Sequence, residues 1–159
     1  TPEVMVTFGQ DGIYGHPDHV AAGRYAERAF FASGDPGRFA HHLRDGLVPH
    51  RPRKLYYVVM SKSRYEVMVR LTGIDYVMLS GKPHPFKYYE DEDITVKLDV
   101  SPFLQKKMAA FYSHRSQAVT TPMRRKEASE KIKEFLATEC FIRAYPSAPR
   151  GFRENDIFD

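Results

Sequence analysis

The chain has 159 residues, 42% of them hydrophobic and 28% charged, with a formal net charge of +4. That is the composition of an ordinary folded domain, and at this length about 70% of the unfolded surface can be buried, so one domain over residues 1–159 is expected. No stretch approaches the ~20 apolar residues that span a bilayer and no charged-then-apolar leader opens the sequence, while the lone Cys140 excludes an internal disulfide and a Cys-rich zinc module and suits a reducing, cytoplasmic setting.

Thr1 stands just ahead of an apolar run, which reads as a trimmed or processed start. Val4 to Phe8 is apolar on both faces and predicts a short, fully buried strand of the parallel kind. The next segment, GQDGIYGHPDH (residues 9–19), holds Gly9, Gly12 and Gly15, which permit tight turns and close backbone approach. Pro17 suits a first helical position, and Val20, Ala21, Tyr25, Ala29 and Phe30 then form an apolar stripe at helical spacing.

Residues 33–54, with three prolines and three glycines, read as a long loop. Lys54 to Met60 predicts a second strand, and Ser61 to Thr72 a helix closed by Gly73. LSGKPHPFKYYEDED (residues 79–93) reads as another polar loop. Ile94, Val96, Leu98 and Val100 alternate with polar residues, as a half-buried strand does. Ser101-Pro102 is a cap and first-position pair that opens a helix with Leu104, Met108 and Phe111 on one face. Thr121-Pro122 repeats it ahead of Ala128, Ile132, Phe135 and Leu136, with Glu127 and Lys131 able to pair on the outer face. Strands alternating with helices predict an α/β fold, with a Rossmann-like, mostly parallel sheet and flanking helices.

The basic residues cluster weakly, at Arg51-Pro52-Arg53-Lys54 and Arg124-Arg125-Lys126. Neither cluster is interleaved with aromatic residues, so a solvated basic face is the plainer reading and nucleic acid is not expected as a partner. Glu90-Asp91-Glu92-Asp93 lacks the spacing and the glycine of an EF-hand loop. His41, His42, His50 and His84 read as loop histidines, with a lid role open to the long loop, and Cys140 as a small core residue.

His16-Pro17-Asp18-His19 carries the chemistry. An open α/β sheet binds ligands beyond the carboxyl ends of its strands, where this loop falls. Residues three apart on a first helical turn face the same way, so His16 and His19 can address one ligand. Asp18 is in reach of either ring and suited to hold a tautomer. The alternative is a polar helix start in which Asp18 favours the macrodipole. The residues alone leave both readings open.

VMVTFGQDGIYGHPDH closely resembles the second signature of the LmbE-like (GlcNAc-phosphatidylinositol de-N-acetylase, PIG-L) zinc deacetylases. DPGRF, RKLYYVVM, ITVKLDVSPFLQKKMAAFYSHRSQ and RENDIF resemble later segments of that family in the same order, so the resemblance covers nearly the whole chain. It implies that His19 ligates Zn2+ and that His16 stabilises the tetrahedral intermediate or acts as an acid. It further implies that Asp18 orients His16, that Tyr14 lies by the substrate carbonyl, and that His114 of His114-Arg115-Ser116-Gln117 lines the cleft.

The family's first signature, His-Pro-Asp-Asp, supplies the other two zinc ligands and the general base. It does not occur in this chain, where the other His-Pro, His84-Pro85, is followed by Phe86. The resemblance therefore implies the C-terminal portion of such an enzyme, completed by an N-terminal segment or a second chain. The expected activity is removal of an N-acetyl group from a small-molecule amino sugar or conjugate, or, as a close variant, amidase cleavage of an amino-sugar thiol conjugate. A homo-oligomer is possible on this reading. The alternative from another class is a non-catalytic domain that docks an anionic ligand or a protein partner.

Overall fold

The apolar run at the start of the chain becomes β1 (Val4–Phe8), and Lys54–Val59 becomes β2. In the computed structural model, which describes residues 1–115, 133 and 135–159, the two strands pair in parallel, Val4 opposite Lys54 through Phe8 opposite Val58. Two further strands, β5 (Val96–Asp99) and β6 (Thr138–Tyr145), complete a four-stranded sheet of order β1-β2-β6-β5.

The α/β class holds, and the sheet is mixed. Within the four-stranded sheet only β1 and β2 pair in parallel, since β6 runs antiparallel to both β2 and β5. The clean alternation at 94–100 is the mark of an antiparallel strand with one wetter face. β1 lies at the sheet edge with Val6 43% exposed, which corrects the expectation of a strand buried on both faces. Burial centres instead on Leu55, Tyr56 and Val59 of β2, Val96 of β5 and Cys140 of β6, with Phe30 and Ile94 against them.

Pro17 occupies the first turn of the long helix α2 (Pro17–Ala32), which follows a short irregular turn, α1 (Gly12–Gly15). α2 packs on β1 through Gly23, where an added Cβ would sit 2.6 Å from the Phe8 carbonyl oxygen. The loop at 33–53 carries one helical turn, α3 (Ala40–Leu43), holding His41 and His42. In α4 (Lys62–Thr72), the buried Ser61 hydroxyl accepts from the Arg64 N–H, and Gly73 closes the helix at φ 68°.

The polar stretch after α4 is not a simple loop. It forms a hairpin, β3 (Tyr76–Leu79) and β4 (Lys82–Pro85), joined by Ser80 and Gly81 at φ 50° and 77°. Both turn residues are left-handed, as the tightest hairpin loops require. The helix after β5 begins as a 3-10 turn at Ser101–Phe103 and continues as α5 (Leu104–Ser113). Its start differs from expectation: Ser101 is the first residue of the turn rather than its cap, Val100 takes the cap position with no side-chain hydrogen bond, and the Asp99 carboxylate accepts from the Ser101 N–H at 2.9 Å. The expected helix after Thr121 up to Ile132, the Glu127–Lys131 pair, Arg124-Arg125-Lys126 and Ser116-Gln117 lie outside the described residues.

Charged groups are largely spent on holding the fold. Glu154, 6% exposed, accepts from Lys54 and Arg143 at 2.6 Å and from the Tyr56 hydroxyl at 2.7 Å. Burial alone would raise its pKa, but these hydrogen bonds and the adjacent cations outweigh it and hold the carboxyl below its ordinary value. In the first basic cluster, Arg51 lies over the Tyr145 ring at 5.0 Å, Arg53 pairs with Glu3 and Lys54 is part of the Glu154 group. Lys54 is thus drawn inward, while Arg51 and Arg53 stay exposed, as the solvated-face reading expects. The acidic run is taken up by Lys62, Lys97 and Arg150. Among the described residues no helix is long and apolar enough to cross a membrane.

Gly23→Ala should destabilise the protein by about 1–3 kcal/mol in urea denaturation, against the usual helix preference for alanine. Glu154→Gln should cost roughly 3 kcal/mol or more, because it leaves two nearly buried cations uncompensated. Since the folded Glu154 pKa is depressed, its stabilisation is present above the unfolded carboxylate range, near pH 4, and is lost as the pH falls through the lower folded value. The urea midpoint of the unsubstituted protein should fall over that interval more than that of the variant.

Candidate functional site

The loop between β1 and α2 is folded back on itself. Gly12 and Gly15 take φ of 57° and 78°, and between them Ile13 takes φ 68°, a costly conformation for a β-branched residue. Asp11 anchors this turn by accepting from the Ile13 N–H at 3.3 Å. The Tyr89 hydroxyl also bonds Asp11, and burial, together with that carboxylate's charge and hydrogen bond, pushes the phenol up to about 12. The Ile13 carbonyl accepts from the Lys87 N–H just beyond β4.

Folding back brings three of the expected rings together. His16 and His19 have ring centroids 4.9 Å apart, and Tyr14 meets them edge-on at 5.9 and 5.2 Å. His19 is stacked flat on Phe8 at 4.1 Å, with its plane within 2° of parallel. Phe86 meets the other side of Tyr14 at 5.6 Å. Burial raises the Tyr14 pKa, so at neutral pH it remains a phenolic O–H donor.

Each imidazole has a different backbone partner. His19 Nδ1 lies 3.2 Å from the Gly12 carbonyl oxygen. A carbonyl only accepts, so Nδ1 carries the proton and the Nε2 lone pair is left available. His16 is the N-cap of α2, and its Nδ1 accepts from the Asp18 N–H at 3.1 Å. In neutral His16 the proton therefore sits on Nε2. Two histidines one helical turn apart are thus held in opposite tautomers, one offering a lone pair and the other an N–H.

The Asp18 carboxylate is 90% exposed and 3.9 Å from His16 Nδ1, beyond hydrogen-bond reach. It is Asp18's main-chain N–H that sets the His16 tautomer. His114 ends α5, is exposed, and shares no hydrogen bond or ring contact with the other three among the described residues.

His84, read from the sequence as a loop residue, belongs to the same neighbourhood. It is half-buried on β4, with its Nδ1 3.9 Å from where a Cβ on Gly15 would lie. With His16, Pro17, Leu79, Ser80 and Lys82 it lines a cleft of about 470 Å³. The signal that could have found it is Ser80-Gly81 between two short apolar-polar runs, a two-residue hairpin loop. Phe8 and Phe86 were also missed as ring partners, because aromatic residues next to glycine and proline read first as core.

Zinc chemistry fits this site in part. His19, with Nδ1–H on a backbone carbonyl and Nε2 free, has the arrangement of a metal-ligating imidazole. A catalytic zinc shell takes three protein ligands, and among the described residues no group of three or more His, Cys, Asp or Glu side chains is placed to hold an ion.

No family model matches the chain. It is 30% identical over 169 residues to a 1D-myo-inositol 2-acetamido-2-deoxy-alpha-D-glucopyranoside deacetylase of Streptomyces griseus subsp. griseus, covering 99% of this chain and 49% of the relative. A protein of the same name from Thermobifida fusca is 28% identical, with 99% and 54% covered. Deacetylase 2 of that name from Catenulispora acidiphila is 32% identical over 73% of this chain and 38% of the relative. The chain spans about half the length of the first two of these curated relatives.

His16's capping role can be separated from any chemical one. His16→Asn keeps a capping acceptor and should stay within about 0.5 kcal/mol of the unsubstituted protein in chemical denaturation, whereas His16→Ala should lose about 1 kcal/mol. Equal stabilities would contradict the cap.

Proposed function

This chain belongs to the LmbE-like (GlcNAc-phosphatidylinositol de-N-acetylase) family, and from that premise we propose that it carries part of the active site of a zinc-dependent N-deacetylase. The substrate class is a small-molecule amino sugar of the GlcNAc type, or its conjugate, and the reaction is hydrolysis of the acetamide to acetate and free amine. The observation that supports this most is the pair of opposite tautomers at His16 and His19.

In this reading His19 offers Nε2 to the metal, kept in plane by Phe8 and in tautomer by the Gly12 carbonyl. Bound zinc supplies Lewis acidity toward a carbonyl oxygen and an activated water. His16 Nε2–H and the Tyr14 hydroxyl donate to the oxygen of the tetrahedral intermediate as it gains charge, and the leaving amine takes its proton from the general base, which first removed it from the attacking water. Asp18 positions His16 through its main-chain N–H, which holds the Nε2 proton toward the reacting atoms.

His114 is proposed for the cleft on the family resemblance alone. The remaining metal ligands and the general base are assigned to residues beyond those described, in a further segment or a second chain. A cytoplasmic setting is proposed on the single free cysteine.

The test combines metal content with turnover of a GlcNAc-inositol conjugate by the complete protein. His19→Ala should abolish zinc retention. His16→Ala should keep most of the metal and lose about 10²–10³ in kcat, the usual cost of removing an oxyanion donor. If both variants retain zinc and acetate release, this site is not the catalytic one. If the unsubstituted protein holds no zinc and releases no acetate, the docking alternative replaces the enzyme.

A further inference from the structure

The β3–β4 hairpin flanks the candidate site, and the reaction described above gives it no task. Its register pairs Val77 with His84 and Leu79 with Lys82. Residues two apart on a strand share a face, so Lys82 and His84 project to the same side as Val77 and Leu79. That side is turned toward the protein, since Val77, Leu79 and His84 are half-buried while Tyr76 and Met78 are exposed. The cleft it closes, about 470 Å³, is bounded on the opposite side by His16 and Pro17 and lies within the size range of small-ligand sites.

The chemistry of this cleft has one sign. Its lining holds a lysine, two imidazoles and a hydroxyl, and no carboxylate. Lys82 has no hydrogen-bond or ion-pair partner among the described residues. Lys54, Lys62, Lys97 and Lys107 each meet a carboxylate, whereas Lys87 and Lys106 share the condition of Lys82; what sets Lys82 apart is its place on the cleft. A cation at the mouth of a cleft, with its neighbours supplying further N–H and O–H donors, is arranged to meet a multiply charged oxyanion.

We propose that the hairpin is a specificity wall, on which Lys82, assisted by His84 and Ser80, binds a phosphate carried by the amino-sugar substrate. The inference rests on the reading of His16 and His19 as the deacetylation centre: with the acetamide at His16, the rest of the substrate extends along β4. Phosphate is favoured over carboxylate because one ammonium, an imidazole and a hydroxyl match three outward oxygens better than two. Lys82 is a substrate-binding residue in this arrangement and takes no part in the bond-breaking step.

Binding reads this out without turnover. N-acetylglucosamine 1-phosphate, N-acetylmuramic acid and N-acetylglucosamine are titrated separately into the complete protein and followed by calorimetry. The phosphate ester should bind about tenfold tighter than the neutral sugar, the worth of one charge-assisted contact. The preference should fall below about threefold in Lys82→Ala and at about 0.5 M sodium chloride, and survive in Lys82→Arg. Equal affinity for phosphate ester and neutral sugar, a preference that survives Lys82→Ala, or no binding of either overturns the assignment. An equal preference for the carboxylate sugar overturns the choice of phosphate. Acetate release by the unsubstituted protein is measured alongside. Loss of phosphate preference with acetate release intact removes the hairpin's role alone, whereas a Lys82-dependent preference without acetate release removes the reaction and leaves the anion wall.

Discussion

At Gly23 the backbone of α2 lies so close to the end of β1 that a single methyl group would sit 2.6 Å from the Phe8 carbonyl oxygen. That approach fixes where the helix begins relative to the strand. The chain has only a few residues in which to leave β1, reverse, and start α2, so it must fold back through left-handed conformations at Gly12, Ile13 and Gly15. Space for the turn is equally tight, since a Cβ on Gly12 would press on Val20 and His19 at 3.0 and 3.1 Å. The reversal delivers the Gly12 carbonyl to His19, lays His19 on Phe8, and leaves His16 to cap the helix. The arrangement of the rings is thus a consequence of backbone packing rather than of direct contacts between the functional groups.

Electrostatics divide the molecule in the same way. Far from the loop, carboxylates and cations neutralise one another: Glu154 gathers Lys54 and Arg143, Glu139 takes Arg64 and Lys107, and the run at 90–93 meets Lys62, Lys97 and Arg150. Beside the loop, the hairpin brings Lys82 and His84 to a cleft lined by no carboxylate. The helix cap and the proposed donor are the same residue: Nδ1 caps α2, and in the neutral ring the Nε2–H remains available.

Much of this was legible in the sequence, and the failures have physical causes. β1, α2, β2, α4 and β5 announce themselves by apolar period and by capping residues, and the His16–His19 spacing is visible because Pro17 marks the helix start. β6 was missed although it is central. Its Glu139 and Arg143 break the apolar pattern, and only partners far away in sequence, Lys107 and Glu154, explain charge in a central strand. The hairpin was missed because Pro83 and Pro85 argue against a strand; they are tolerated in a two-stranded ribbon whose outer edges need no donor. The tautomers were illegible, since they depend on the Gly12 carbonyl and the Asp18 N–H, groups that every residue carries.

The central claim is that backbone partners hold His16 and His19 in opposite tautomers, ready for different tasks. Long-range ¹H–¹⁵N correlation spectra of the imidazole rings at a pH where both are neutral read this directly. The geometry predicts the proton on Nδ1 in His19 and on Nε2 in His16, with added zinc perturbing His19 Nε2 first. The same tautomer in both rings, or the two assignments reversed, would contradict it.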